Sequence, residues 1–210
     1  MNALWTIASI CICFCLVVAG GDYAVPWAPR TAERSVCWEP KVTVDLLAAL
    51  GRVWGEAELR DLLAAFCIEN KRPVIKRDER TGFLQNYALG VELTFTHAES
   101  LDVPVSGRPP RAIVLDNIRL YGPGSRTHAA FNGALPFGLA FGDTRDALIA
   151  KFGPPDLEGT NLAGMLHMRW DTERYALFLQ LDKNTKDGKL NLVSLQTPVV
   201  ASNKPGFETK

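Results

Sequence analysis

The first 21 residues, MNALWTIASICICFCLVVAGG, contain no charged side chain. The remainder is poor in the residues that carry chemistry. There are three histidines in 210 residues, His97, His128 and His167, and none falls in an HExxH pattern, so a helix-borne zinc site is not indicated. No GxSxG turn presents Ser100, Ser106, Ser125 or Ser194 as a nucleophile. No GxGxxG or phosphate-loop motif is present; Gly133, Gly138 and Gly142 are spread around Pro136 and read as turns. The chain also lacks an excess of either charge. Lys+Arg and Asp+Glu both number 23, so no basic surplus draws the whole protein to nucleic acid or an anionic membrane. The segment Asp182 to Gly188 resembles a calcium loop only in part. Its glycine comes one place late, Lys186 stands where a ligand is needed, and Val193 occupies the twelfth position, where Glu belongs. Asp143 and Asp146 have the spacing of a helix start, which explains them without acid–base chemistry. These gaps point to a protein without catalytic residues, metal or cofactor.

The chain does have the balance of a soluble globular protein, 47% hydrophobic and 22% charged. Its length suits one domain or two small ones. The apolar stretch Ala3 to Ala19 is shorter than the about 20 residues of a membrane span and fits the h-region of a signal peptide. Cleavage is expected after Ala19, with Gly21 as the second choice. The only positive charge before this stretch is the terminal amine, so a retained N-terminal anchor is the competing reading. Cys11, Cys13 and Cys15 each follow a bulky residue, which argues against lipidation. They leave with the signal peptide, and Cys37 and Cys67 remain as an even pair in an oxidising compartment. A disulfide between them closes a loop of about 30 residues, worth about 3–4 kcal/mol on the chain-entropy account. The alternative is a buried Cys67 and a free Cys37.

Along the mature chain, Asp22 to Pro40 holds Pro26, Pro29 and Pro40 and reads as an extended arm. Thr43 opens a helical pattern, with Val44, Leu47 and Ala48 on one face, that ends at Gly51. A second helix is expected over Glu56 to Cys67, where Leu59, Leu62, Leu63 and Phe66 form one stripe. Strands are expected at Arg72–Lys76, within Phe83–His97 and at Ala112–Tyr121. Val91, Leu93 and Phe95 alternate with Glu92, Thr94 and Thr96, giving one buried face and one wet face. A third helix starts at Asp143 as N-cap and stops at Gly153-Pro154-Pro155, with Leu148 and Phe152 inward. Strands follow at Met165–Trp170, Tyr175–Asp182 and Leu190–Thr197, with Trp170 on the core face. YALGVELT (Tyr87 to Thr94) matches YALFLQLD (Tyr175 to Asp182), and the order of elements matches around them.

The fold expected is therefore α+β, in two tandem repeats, each a short helix packed on a three- to four-stranded antiparallel sheet. The divisions are a signal peptide over 1–21, the arm over 22–40, a first repeat over 41–124, a second over 125–198 and a flexible tail over 199–210. With no chemistry evident, surface loops become the candidates for function. The loop Ala98 to Arg111 carries Glu99, Asp102, Arg108 and Arg111 among prolines that stiffen it. The loop Tyr121 to Asn132 adds Tyr121, Arg126, His128 and Phe131, and tyrosine and arginine are types favoured at binding hot spots. Both loops are equally readable as plain connectors.

The phrase Leu135-Pro136-Phe137-Gly138-Leu139-Ala140-Phe141-Gly142-Asp143-Thr144-Arg145, followed by Phe152-Gly153-Pro154-Pro155-Asp156, a strand with Arg169-Trp170 and one with Tyr175, resembles exported immunity proteins of bacterial toxin systems, including those of type VI secretion. It is also similar to the helix-plus-sheet repeats of secreted β-lactamase inhibitor proteins and of small outer-membrane assembly lipoproteins. The resemblance covers about Phe131 to Thr197, and the first half joins only through the repeat. Two departures matter: no lipidation site is present, and Cys67-Ile68-Glu69 stands where the first repeat would have its Gly-x-Pro stop. The resemblance implies a periplasmic protein that binds a cognate protein toxin tightly and blocks its action in the cell envelope. Beside it stand the expectations from charge, the short apolar stretch and the missing motifs: no nucleic acid partner, no stable membrane insertion after signal cleavage and no cofactor. An envelope structural or assembly protein on the same scaffold is the alternative, and a membrane-anchored form facing the periplasm is the alternative location.

Overall fold

The computed structural model describes residues 45–103 and 107–199. The expected signal peptide, the arm, Cys37 and the tail from residue 200 lie outside the described residues. The first described helix is α1 (Leu46–Ala49); Thr43 and Val44, where the helical pattern opens, lie outside the described residues. Asp45 caps α1, its carboxylate accepting from the amides of Leu47 at 3.0 Å and Ala48 at 3.1 Å. Gly51, at φ 76°, turns the chain away.

Helix α2 (Ala57–Ala65) follows, with Leu59, Leu62 and Leu63 fully buried, as their three- and four-residue spacing requires. Burying each such side chain contributes about 1.5–3 kcal/mol. Cys67 ends the turn in the left-handed region, at φ 51°. It is disulfide-bonded, and its partner lies outside the described residues.

Seven strands then form one antiparallel sheet: β1 (Thr81–Asn86), β2 (Val91–His97), β3 (Ile113–Tyr121), β4 (Leu157–Thr160), β5 (Leu166–Asp171), β6 (Ala176–Leu181) and β7 (Leu190–Gln196). The order across the sheet is β1-β2-β3-β7-β6-β5-β4. The fold is thus α+β. Its strands make one continuous sheet, joined edge to edge where β3 pairs with β7, Ile118 facing Leu195 and Leu120 facing Val193. The N-terminal part of β3 has a different neighbour on that side. Residues 51–54 pair with it through the Val53–Val114 bridge and the bonds Gly51 N to Leu115 O, Leu115 N to Arg52 O and Trp54 N to Ile113 O.

Helix α3 (Arg145–Phe152) and the two earlier helices lie over one sheet face. Leu148 of α3 is fully buried with Leu177 and Leu179, as the sequence spacing predicts, and Phe152 packs at 5.4 Å against Trp170. Trp170 is buried, and its indole N–H donates to the Gly153 carbonyl at 3.1 Å. Gly153 closes the helix at φ 76°.

Several local expectations need correction. The N-cap of α3 is Thr144, whose hydroxyl accepts from Ala147 N; Asp143 instead accepts from Ala140 N at 3.0 Å and Lys151 Nζ at 2.9 Å, holding the preceding turn. Arg72–Lys76 forms no strand. Pro73 offers no amide for a ladder, and the Val74 carbonyl lies so close to Gly82 that a Cβ there would sit 2.6 Å from it. Strand β4, with glycine at its centre, had too weak a pattern to be read. The repeated letters also take different conformations: Tyr87 to Gly90 form the β1–β2 turn, whereas Tyr175 leads directly into β6.

Candidate functional site

Helices α1, α2 and α3 join the core on the first sheet face, whereas at one end of the second face Val114, opposite Thr96, packs with Ala98 of a short 3-10 turn and with Leu101. Alternation along the strands sends Gln85, Glu92, Thr94, Asn117, Arg119, Tyr121, Ser194, Phe178, Gln180, His167 and Arg169 to this second face. The sequence marks this face as wet, yet Glu92, Thr94 and Thr96 are only 5%, 5% and 4% exposed. Cross-strand neighbours produce that shielding.

Glu92 is the centre of the first-half surface. Arg119 faces it from β3 and donates from Nη1 to Oε1 at 2.7 Å. The Gln85 amide and the Tyr121 hydroxyl, at 3.4 Å, both donate to Oε2, and Tyr87 donates in turn to Gln85 Oε1. A carboxylate so shielded is tolerable only with such partners, because its desolvation costs several kcal/mol. Burial, and next the Glu92 charge, push the Tyr121 phenol above its usual value.

His128 closes over this group from the following loop. Its ring stacks on Tyr121 at 3.9 Å and 3°, and lies 4.8 Å from the Tyr87 ring. Ser125 Oγ accepts from His128 N at 3.2 Å, and Thr127 Oγ1 meets Nδ1 at 2.9 Å. Nε2 is shut from solvent and has no partner among the described residues. Burial lowers the His128 pKa below its usual value, against the pull of Glu92. The loop is tied down by Ala129 N to Tyr87 O and Phe131 N to Tyr121 O, at 2.8 and 2.7 Å. Gly90, at φ 69°, makes this approach possible, since a Cβ would collide with the Ala129 carbonyl.

At the other end of β3 the pairing jumps from Thr94–Asn117 to Phe95–Leu115, leaving Asp116 as the extra residue of a bulge. Burial raises the Asp116 pKa, although the Thr197 hydroxyl donates to it. The bulge falls where β3 exchanges its neighbour from residues 51–54 to β7. In the second half, Arg169 pairs with Asp171 at 2.9 Å, and His167 meets Gln180 at 3.0 Å, which donates to Asn191 at 3.3 Å. Ser194 links the halves, donating to Asn117 at 2.8 Å. The result is a broad surface of polar and aromatic side chains already held in place.

The residues singled out in the sequence do not share one surface. Glu99 and Asp102 are exposed, Glu99 in a short 3-10 turn after β2. Arg108 is tied to Glu56 at the start of α2 through Nη1 and Nη2, and holds its own loop. Arg111 is exposed and its carbonyl meets His97 Nδ1 at 3.3 Å. Arg126 is exposed on the His128 loop, whereas Phe131 turns edge-on to Phe66 in the core at 6.1 Å. Tyr121 and His128 belong to the Glu92 group. Strand register joins Glu92 to Arg119, and the loop after β3 brings His128 to them, so no local pattern marks the three as a unit. Among the described residues no three His, Cys, Asp or Glu side chains gather as a metal site, and no helix is long and apolar enough to cross a membrane.

No family model matches the chain, and no curated protein does. A solved structure of a DUF4309 family protein, YjgB from Bacillus subtilis subsp. subtilis str. 168, is similar at 21% identity and a TM-score of 0.36, over 66% of this chain and 76% of that one.

Proposed function

We propose that the chain is an exported immunity-type binding protein: in the periplasm it holds a secreted antibacterial toxin that acts on the cell envelope, and it carries out no reaction of its own. The observation that carries this reading is the second sheet face, where Glu92, Arg119, Gln85 and Tyr121 are fixed in advance by one another. Side chains that are already ordered lose little entropy on docking. Seven strands span about 30 Å by 20 Å, a fair match to the roughly 800 Å² per partner of a standard interface. The uncharged N-terminal stretch and the disulfide at Cys67 support export.

The same reading takes α2-β1-β2-β3 and α3-β5-β6-β7 as two copies of one unit, with β4 an addition. It is supported by the shared order of elements and by the central β3–β7 pairing, about which β2 lies opposite β6 and β1 opposite β5.

Capture with the purified chain from the secreted proteins of its own bacterium tests the proposal. One toxin-like partner, bound one to one in the nanomolar range and weakened at least about tenfold by Phe178→Lys, is expected. Recovery of outer-membrane assembly machinery instead, or a complex indifferent to Phe178→Lys and His167→Ala, sinks it.

A further inference from the structure

The two edges of the sheet are built differently. Strand β4 is four residues long, follows Pro154-Pro155, and carries Glu158 bridged to Arg145 at 3.0 Å. A short, charged, proline-led edge resists pairing with other chains. Strand β1 has none of these protections. Its six residues, TGFLQN, include no charge and no proline. Alternate residues of an edge strand turn their amide and carbonyl groups outward. Among the described residues no backbone group bonds to the outer side of β1. Exposed apolar side chains also collect here. Phe83 is 48% and Tyr87 56% exposed, and Val74, whose carbonyl rests on Gly82, is 71% exposed.

We propose that β1 is an interaction edge whose occupant is β1 of a second copy of this chain, paired antiparallel across a two-fold axis at Phe83. Such pairing requires directly opposite residues to share a sheet face. The Phe83 axis satisfies this at every position: Phe83 faces Phe83, Gly82 faces Leu84 and Thr81 faces Gln85. The aromatic pair is a favourable cross-strand contact. Arg80 falls opposite Asn86 and Glu79 opposite Tyr87, so no like charges meet. The dimer extends the sheet to twice its strands, with the helices of both copies on the same side. Phe83, opposite Thr94, stands at the rim of the polar face, which otherwise remains open in both copies; self-association is measured without toxin and so stands or falls apart from toxin binding.

The test is a charge exchange at Phe83, which is exposed enough to accept substitution without unfolding. Sedimentation of the wild-type chain at about 100 μM should give a dimer. Phe83→Lys and Phe83→Glu, each checked for an unchanged circular dichroism spectrum and melting curve, place like charges opposite one another. Each alone should lose self-association by about tenfold or more, and an equimolar mixture of the two should recover it. In the wild type, hydrogen exchange at alternate amides of Thr81–Asn86 should slow as concentration rises. A wild-type monomer at that concentration overturns the proposal, as does a dimer unaffected by both variants. A monomer whose β1 amides become protected only when another protein binds also overturns it, and assigns the edge to that protein's strand.

Discussion

Replacing Arg119 with methionine removes the cation from Glu92 while keeping most of the side-chain length. The magnitude can be bounded from both sides. Two unit charges about 4 Å apart interact by about 4 kcal/mol at an effective dielectric of 20. Arg119 is 36% exposed on its side chain, so water screens part of that, while Glu92, at 7%, cannot escape to solvent. Hydrogen bonds to charged groups contribute about 1.5–3 kcal/mol. Gln85 and Tyr121 remain as donors and limit the loss. A destabilisation of about 2 kcal/mol is expected, a fall of roughly 4–8 °C in Tm for a domain of this size. Urea unfolding followed by tryptophan fluorescence measures it. The diagnostic step is the double variant with Glu92→Gln. An amide needs no cation, so Glu92→Gln with Arg119→Met should be more stable than Arg119→Met alone by about 1 kcal/mol. A single-variant loss below about 0.5 kcal/mol, or a double variant no better than the sum of the singles, refutes the reasoning.

Other expectations follow from neighbouring groups. The lowered pKa of His128 means the unfolded chain binds a proton more readily, so stability is full above about pH 6.5 and falls as pH drops below it. His128→Phe keeps the stack on Tyr121 and should flatten Tm between pH 7 and 5; an equal slope in both proteins counts against this. Asp116 has the opposite sign, since its raised pKa favours the neutral form in the fold and its contribution is lost as pH rises. Asp116→Asn should therefore raise Tm at pH 7, with the gain vanishing near pH 3, and a lower Tm at pH 7 contradicts it. Gly90→Ala must push the Ala129 carbonyl aside at a positive φ, and should cost about 1–3 kcal/mol in urea unfolding. Peptide mapping should recover Cys67 joined to Cys37; any other pairing removes the loop-closure argument.

Strong periodicity carried the reading where one element decides its own burial. Leu59, Leu62 and Leu63 announced α2, and Val91, Leu93 and Phe95 announced the core side of β2. Legibility failed where a residue's role is set by a distant strand. Glu92 looks like an ordinary outward carboxylate until pairing brings Arg119 and Tyr121 alongside. Arg108 looks like a recognition residue until the fold brings it to Glu56. The cap of α3 was misplaced by one residue because Asp143 and Thr144 are both good caps, and only Lys151 one helix length away decides between them. The long-range join of β3 to β7 left no local mark at all.

That join also governs the order of assembly. The strand that completes β3 is the last of the seven, so an emerging chain must carry a half-built sheet, open along β3, until β7 itself has been made or exported. A pause or truncation before β7 would leave that seam sticky, and the cell would meet it first as an aggregate or a substrate for chaperones and proteases.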